Sequence, residues 1–339
     1  MPRVLTADRG DEGLRLDLVL RRHLTDLRSA TRTRVQAWIE DGLVTVNGAP
    51  VRRVSTRAEL GDLVSIALPD EKPRAAMAAE DVRLEVLFED EHMIAIDKPA
   101  GLVVHPAYKH TAKTLMNALL WHARAWPAPQ RPSLVSRLDK LTSGVVVVAK
   151  DAGTHAALQR EMNRPASAEG FGATGSEKDY LAIVYGRVNV PRGVIDLRLE
   201  KDRGDRRKVA ASATVGAESL TRFERLARVA APRAGLSLLR CRLATGRTHQ
   251  IRVHLAARGW PLVGDPMYGE PRWSQIDDPL LAATLRAFPR QALHAWRVAF
   301  THPITRERLT IEAPLPRDMD ELLVAAGLGA SRKSGTAPF

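Results

Sequence analysis

Two stretches near the start of the chain place apolar residues at helical spacing. In LRLDLVLRRHL, Leu16, Leu18, Val19 and Leu20 are followed by Leu24, one turn beyond Leu20. In SATRTRVQAWIEDG, Ser and Thr open the segment, Val35, Trp38 and Ile39 supply the apolar positions, and Gly42 stops it. The pattern then changes period. LVTVNGAPV reads as a strand, an Asn47-Gly48 turn and the start of a second strand, and GDLVSIALP reads as a further strand. Residues 14–70 therefore form a small α/β module of their own.

Residues 71–84, EKPRAAMAAEDVRL, are rich in Pro, Ala and charge and read as a linker. Beyond them, residues 85–318 carry short strand-like runs: LEVLFED, MIAIDKPAGLVVH, GVVVVAK, YLAIVYGRV, SLTRFERL, LSLLRCRL and WRVAFTHP. Helical segments such as TAKTLMNALLWHARA and AGTHAALQREMNR lie between some of them. Many strands with few helices predict an α+β domain built on a mixed, mainly antiparallel sheet, since βαβ alternation is missing. NRPASAEGFGATGSE, residues 163–177, reads as a mobile loop, and residues 325–339 as a disordered tail.

Composition narrows the function. The chain has 339 residues and a formal net charge of +12, a balance that favours a polyanionic partner, nucleic acid first. Arg28, Arg32 and Arg34 fall around the second helical stretch, and Arg52, Arg53 and Arg57 follow the turn; together they suggest a phosphate-contacting face. A single cysteine, Cys241, rules out an internal disulfide and a cysteine zinc site. It alternates with arginines in LRCRL and reads as a small buried hydrophobe. No apolar run is long enough to span a membrane, and the first residues carry no signal-peptide core, so a cytoplasmic protein is expected.

There is no phosphate-binding glycine loop, dinucleotide fingerprint, His-Glu-x-x-His or nucleophile elbow. An enzyme with this sequence is expected to use acid, base or covalent side-chain chemistry, with no cofactor and no metal. Two stretches could supply it. In SRLDKLTSGVVVVAK, Asp139 sits in a loop before a buried strand, with Arg137 two residues away to keep a carboxylate ionised. Such an Asp serves as nucleophile or general base; spacing alone equally fits a structural ion pair. In ATGRTHQIRVHLAARG, Thr248 could cap a helix that runs to Arg258 and stops at Gly259, with Ile251 and Leu255 sharing a face. Arg247, His249 and Arg252 near its start suit an anionic ligand.

Taken together, the motifs resemble the RluA family of pseudouridine synthases, in the subgroup with an N-terminal S4-type RNA-binding domain. RLDKLTSG followed by a hydrophobic strand is similar to the family's catalytic stretch. DKPAGLVVHPA, KDYLAIVYG, TGRTHQIRVHL, GDPMYG and LHAWRVAFTHPIT match its other motifs in order. One position departs: the family usually has His where this chain has Ser136.

The resemblance implies a pseudouridine synthase fold and an RNA pseudouridine synthase, acting on large-subunit ribosomal RNA or its precursor particles. Transfer RNA is the alternative substrate, and a non-catalytic RNA-binding or assembly protein the alternative from another class. Asp139 would be the catalytic aspartate attacking a flipped uridine. Tyr180 would stack under the uracil and assist proton removal, and Arg252 would pair with Asp139. Arg137 would contact RNA and fill the gap left by the base, and Ile251 would line the base pocket. No membrane partner is expected, and the chain is read as a monomer.

Overall fold

A computed structural model describes the chain except residues 1, 25, 26, 28, 29, 69–76, 106–111, 164–174, 203, 230–234, 270, 271 and 330–339. It divides into two compact units, Met1–Ala76 and Met77–Phe339.

The first unit contains β1 (Arg3–Thr6), α1 (Leu16–His23), α2 (Arg32–Glu40), β2 (Val44–Val46), β3 (Ala49–Val51) and β4 (Leu63–Ile66). The strands form an antiparallel sheet in the order β1-β4-β2-β3. Asn47 and Gly48 both have positive φ, 51° and 82°, which closes the β2–β3 hairpin with the twist that antiparallel strands prefer. Gly42 ends α2 at φ 76°, where a side chain would be strained. Leu16, Leu20, Val35 and Ile39 pack with Val44, Val64 and Ile66 to make the core, while Leu18 faces solvent. The buried Asp17 carboxylate accepts from Arg15 Nε and Gln36 Nε2, both at 3.0 Å, and so ties α1 to α2.

The second unit contains β5 (Glu85–Glu89), β6 (Met93–Lys98), α3 (Leu115–His122), β7 (Ser133–Leu134), β8 (Ser143–Ala149), α4 (Ala152–Met162), β9 (Glu177–Tyr185), β10 (Arg192–Asp196), β11 (Arg198–Lys201) and β12 (Val209–Ser212). There follow β13 (Leu220–Val229), β14 (Leu236–Leu243), α5 (Gln250–Ala257), α6 (Pro279–Ala287), β15 (Leu293–Thr301), β16 (Arg308–Glu312) and α7 (Arg317–Ala325). Among the described residues the main sheet has ten strands, ordered β10-β13-β14-β9-β15-β8-β6-β5, with β16 on β15 and β7 on β8. The β15–β8 pair is parallel and every other pair in it antiparallel. The α+β expectation, a mixed and mainly antiparallel sheet with flanking helices, holds.

The valine run of β8 is buried end to end because both faces of the sheet are covered there. Val145 and Val147 meet Leu158 and Met162 of α4; Val146 and Val148 meet Leu115 and Leu119 of α3. Each fully buried valine contributes roughly 1.5–3 kcal/mol.

Three boundaries differ from the sequence reading. The linker expected over 71–84 is partly ordered: residues 77–84 belong to the second unit, where Glu80 N donates to Asn117 O at 3.0 Å and Asn117 Nδ2 to Ala78 O at 2.8 Å. Of the tail expected over 325–339, residues 325–329 are described and Ala326 and Leu328 are buried against α7 and its neighbours, while residues 330–339 lie outside the described residues. The loop expected over 163–177 lies mostly outside the described residues, and its last two members, Ser176 and Glu177, are buried. Strands β10, β11, β12 and β16 did not stand out in the sequence: all are short, β10, β11 and β16 are rich in charge, and β12 is the small-residue run VAAS.

Candidate active site

The Thr142-Ser143-Gly144 stretch that leads into β8 and forms its first residues is fixed from one direction. Thr142 Oγ1 accepts from Gln291 Nε2 at 3.1 Å, Ser143 Oγ is 3.0 Å from His294 Nδ1, and Gly144 lies opposite Ala295 in the β8–β15 pair. Gly144 has φ 114°, and a Cβ there would stand 2.1 Å from the Ala295 carbonyl oxygen, so only glycine fits. The residues just before this stretch are pinned as well. Thr142 N donates to Asp139 O, and the Lys140 carbonyl accepts from Gly101 N at 2.8 Å and from Lys98 Nζ at 3.1 Å. Lys98 is fully buried; its ammonium also donates to Pro99 O and Leu102 O, so three carbonyls meet its three N–H groups. Burial, and then the Arg290 charge, push its pKa down to about 7 despite Asp139 and Asp97. Ser136 is held at both polar atoms by Val147 of β8.

Asp139 is thereby presented from a rigid loop, partly open to solvent. Its Oδ2 accepts from Arg252 Nη1 at 2.9 Å, and His249 Nε2 lies 3.7 Å from the same oxygen. Among the described residues no hydrogen bond reaches its Oδ1. Arg252 is buried on α5 and is held on its far side by Asp265, whose two oxygens accept from Nε and Nη2 at 2.8 Å each. Burial works against the Arg252 charge, and the Asp265 and Asp139 carboxylates outweigh it, raising its pKa. Asp265 is fixed in turn by the Met267 and Tyr268 amides.

Tyr180 is carried on β9, next to Asp139. Burial, then the Asp139 charge, raise its phenol well above the ordinary value, so the hydroxyl keeps its proton. Asp139, Tyr180, Ile251 and Arg252 line one small cavity of about 60 Å³, rimmed by Arg137, Arg247 and His249. It adjoins a cleft of about 1020 Å³ lined by Arg137, Lys140, Lys178, Tyr180, Arg247 and His249 among others. The result is an acidic group and an aromatic face at the bottom of a basic cleft, suited to hold a planar base attached to a polyanion.

The structure thus brings together Asp139, Tyr180, Ile251 and Arg252 with Arg137 and Arg247. It corrects the charge assignment made from spacing: Arg137 is exposed and makes no ion pair with Asp139, and the paired cation is Arg252. Thr248 does not cap α5; that position falls to His249 at φ 56°, and no side chain caps the helix. Gly259 at φ 77° does follow its end. In the first unit Arg32 is exposed at the start of α2, Arg34 is half-buried, and Arg28 lies outside the described residues. Arg52 and Arg57 are exposed, each with one guanidinium nitrogen on a backbone carbonyl.

Residues without a role in the sequence reading are Lys98, Asp265, Tyr268, Gln291 and His294. GDPMYG marked the stretch holding Asp265 and Tyr268, and DKPAG the one holding Lys98; nothing in the sequence marked Gln291. Among the described residues, Asp8, Asp11 and His23 bring two carboxylates and an imidazole together, but the Arg22 guanidinium donates to both carboxylates.

Residues 92–257 match the family model described as RNA pseudouridylate synthase, and residues 14–64 match the S4 domain. The ribosomal large subunit pseudouridine synthase D of Pseudomonas aeruginosa is 40% identical over 294 residues, covering 86% of this chain and 87% of that one. Its namesake from Xanthomonas campestris is 37% identical over 326 residues, covering 96% and 92%. Among solved structures, human RNA Pseudouridylate Synthase Domain Containing 4 aligns with a TM-score of 0.52 at 22% identity, covering 72% of this chain and 93% of that one. At that identity the likeness speaks for the fold.

Proposed function

The chain belongs to the RNA pseudouridylate synthase family, with an S4 domain ahead of the synthase domain, and on that premise we propose that it isomerises specific uridines of large-subunit ribosomal RNA in the cytoplasm, as a monomer, with Asp139 as the nucleophile. The observation that carries the assignment of Asp139 is its setting: one carboxylate oxygen is engaged by Arg252, and the residue lines a small cavity together with Tyr180.

In this reading the target uridine leaves the RNA stack and enters the cavity. Flipping costs a few kcal/mol, least in a loop or bulge, and Arg137 and Arg247 at the rim offset it by binding phosphate and stacking on bases. Asp139 attacks the ribose or the ring, the bond between N1 and the sugar breaks, and the base turns. Carbon five then bonds to the sugar carbon that N1 left, the bond to Asp139 breaks and returns its carboxylate, the proton on carbon five is lost and N1 takes one up. Reactant and product are isomers, so the steps balance without an oxidant or reductant. Tyr180 supplies the stacking face. Its raised pKa means that it takes the carbon-five proton only as it passes its own proton on. Arg252, clamped by Asp265, positions Asp139. In the first unit, Arg28, Arg32 and Arg34 supply phosphate contacts that add affinity without reading sequence.

The test is a map of pseudouridines in RNA from cells lacking this protein, complemented by the wild-type or the Asp139→Asn chain. Specific sites in large-subunit ribosomal RNA should vanish and return only with the wild type. Restoration by Asp139→Asn would remove the nucleophile assignment. Loss confined to transfer RNA would move the substrate, and an unchanged map would favour a protein that binds RNA without modifying it.

A further inference from the structure

The Tyr268 hydroxyl stands between two partners. It accepts the Val209 amide proton at 2.8 Å and lies 2.8 Å from Nδ1 of His249. With one side of the oxygen taken by a donor, its single proton is directed to Nδ1, which therefore accepts. The imidazole proton is then on Nε2, the nitrogen that faces Asp139 Oδ2 at 3.7 Å. His249 itself occupies a left-handed backbone conformation at the start of α5, φ 56°, which fixes where the ring hangs. The charged and titratable groups around the ring are Asp139, Arg252, Asp265 and Tyr268. Burial dominates and, with Arg252, lowers the imidazole pKa against the opposing pull of Asp139 and Asp265.

We propose that His249 is a positioning residue for the isomerisation, its tautomer set by Tyr268 so that Nε2–H bears on Oδ2 of Asp139 and, with Arg252, reserves Oδ1 for the substrate. This role rests on the reading of Asp139 as nucleophile. Two nitrogens stand near one oxygen, Arg252 Nη1 in hydrogen-bond contact at 2.9 Å and His249 Nε2 withdrawn at 3.7 Å. Rotation of the carboxylate, which would exchange its oxygens, is opposed by both. When the carboxylate moves toward the ribose or ring, His249 is the donor placed to follow Oδ2.

Three variants of the full chain separate this role from folding. His249→Asn tolerates the left-handed backbone, but its amide stops short of the Nε2 position. His249→Gln reaches that position with an N–H. Tyr268→Phe leaves His249 in place and removes the group that sets its tautomer. Single-turnover rates and affinities are measured on an unmodified large-subunit ribosomal RNA transcript, and ring nitrogen NMR of the RNA-free protein at pH 7 reads the tautomer.

Misplacement of a reacting group costs up to about 100-fold, so His249→Asn should lower the rate about 10- to 100-fold, with affinity unchanged within about 2-fold. His249→Gln should recover to within about 5-fold of wild type, and Tyr268→Phe should slow the reaction about 3- to 10-fold. The wild-type spectrum should show Nε2 protonated and Nδ1 as acceptor, and Tyr268→Phe a mixture of tautomers. A wild-type rate in His249→Asn, a Gln variant no better than the Asn variant, or an Nδ1–H wild type would each overturn this role while the enzyme assignment stands. A wild-type chain inactive on every RNA would overturn the enzyme assignment and this role with it.

Discussion

Two clusters of arginine and carboxylate lie in the second unit, made of the same residue types and put to different ends. In one, Glu177 and Asp179 of β9 meet Arg240, Arg242, Arg297 and Arg308, and all four carboxylate oxygens accept charged hydrogen bonds. In the other, Arg252 is gripped by both oxygens of Asp265 but by only one of Asp139. In the first cluster both carboxylates are buried and each of their oxygens is taken. The second keeps one acceptor in reserve at a cavity. β9 carries both lessons on neighbouring residues, since Asp179 and Tyr180 point to opposite faces of the sheet. Charge density is alike in the two clusters; what differs is that, among the described residues, one oxygen of Asp139 accepts no hydrogen bond.

That contrast is open to attack by substitution. Asp139→Asn should abolish pseudouridine formation by at least about 10⁴-fold in single-turnover assays, as removal of a nucleophile does. Its denaturation midpoint should stay near wild type, because Arg252 keeps Asp265. Asp179→Asn should do the reverse. Removing one partner of a buried pair costs about 3–5 kcal/mol, read as a shifted urea midpoint, while the activity of the folded fraction persists.

The pH dependence of Asp179 sharpens the point. Burial raises its pKa, and the hydrogen bonds from Arg242 and Arg240 overcome that and hold it below its ordinary value of 3.8. A carboxylate depressed in the folded state stabilises above its unfolded pKa, and the gain is lost as pH falls through the folded value. Wild-type stability should therefore drop more steeply below about pH 4 than that of Asp179→Asn, measured by urea unfolding across pH.

Asp265→Asn should fall between the two, since Asp265 holds up a catalytic partner from a buried position. About 1–3 kcal/mol of stability and about 10- to 100-fold in rate should both be lost. The smallest effect is expected at the rim. Arg137→Ala should weaken RNA binding a few-fold and reduce the salt slope by about one counterion, with the fold untouched.

The sequence made legible whatever depends on local order. The unbroken valines of β8, the Asn47-Gly48 hairpin and the stop at Gly259 follow from period and backbone chemistry. What joins distant segments was not readable from spacing. The Asp139–Arg252 pair spans 113 positions and entered only through the family resemblance, while local reasoning chose Arg137 because it was near in the chain. The Ser143–His294 contact spans 151 positions, and the reason Gly144 must be glycine lies at Ala295. The β11–β12 pair escaped notice because β11 is short and charged and β12 is a short run of small residues, yet β12 begins at Val209, the residue that orients Tyr268.

Cys241 gives the molecule an unplanned reporter. It is the chain's single thiol, it is fully buried on β14, and it stands directly across the strand pair from Tyr180. Burial, and then the Asp179 charge, raise its pKa, so in the folded protein it is both shielded and protonated. An alkylating reagent reaches it only when the structure around β14 opens. Its labelling rate is a clock for that opening, and the difference between the free and RNA-loaded protein measures how firmly bound RNA holds that region closed.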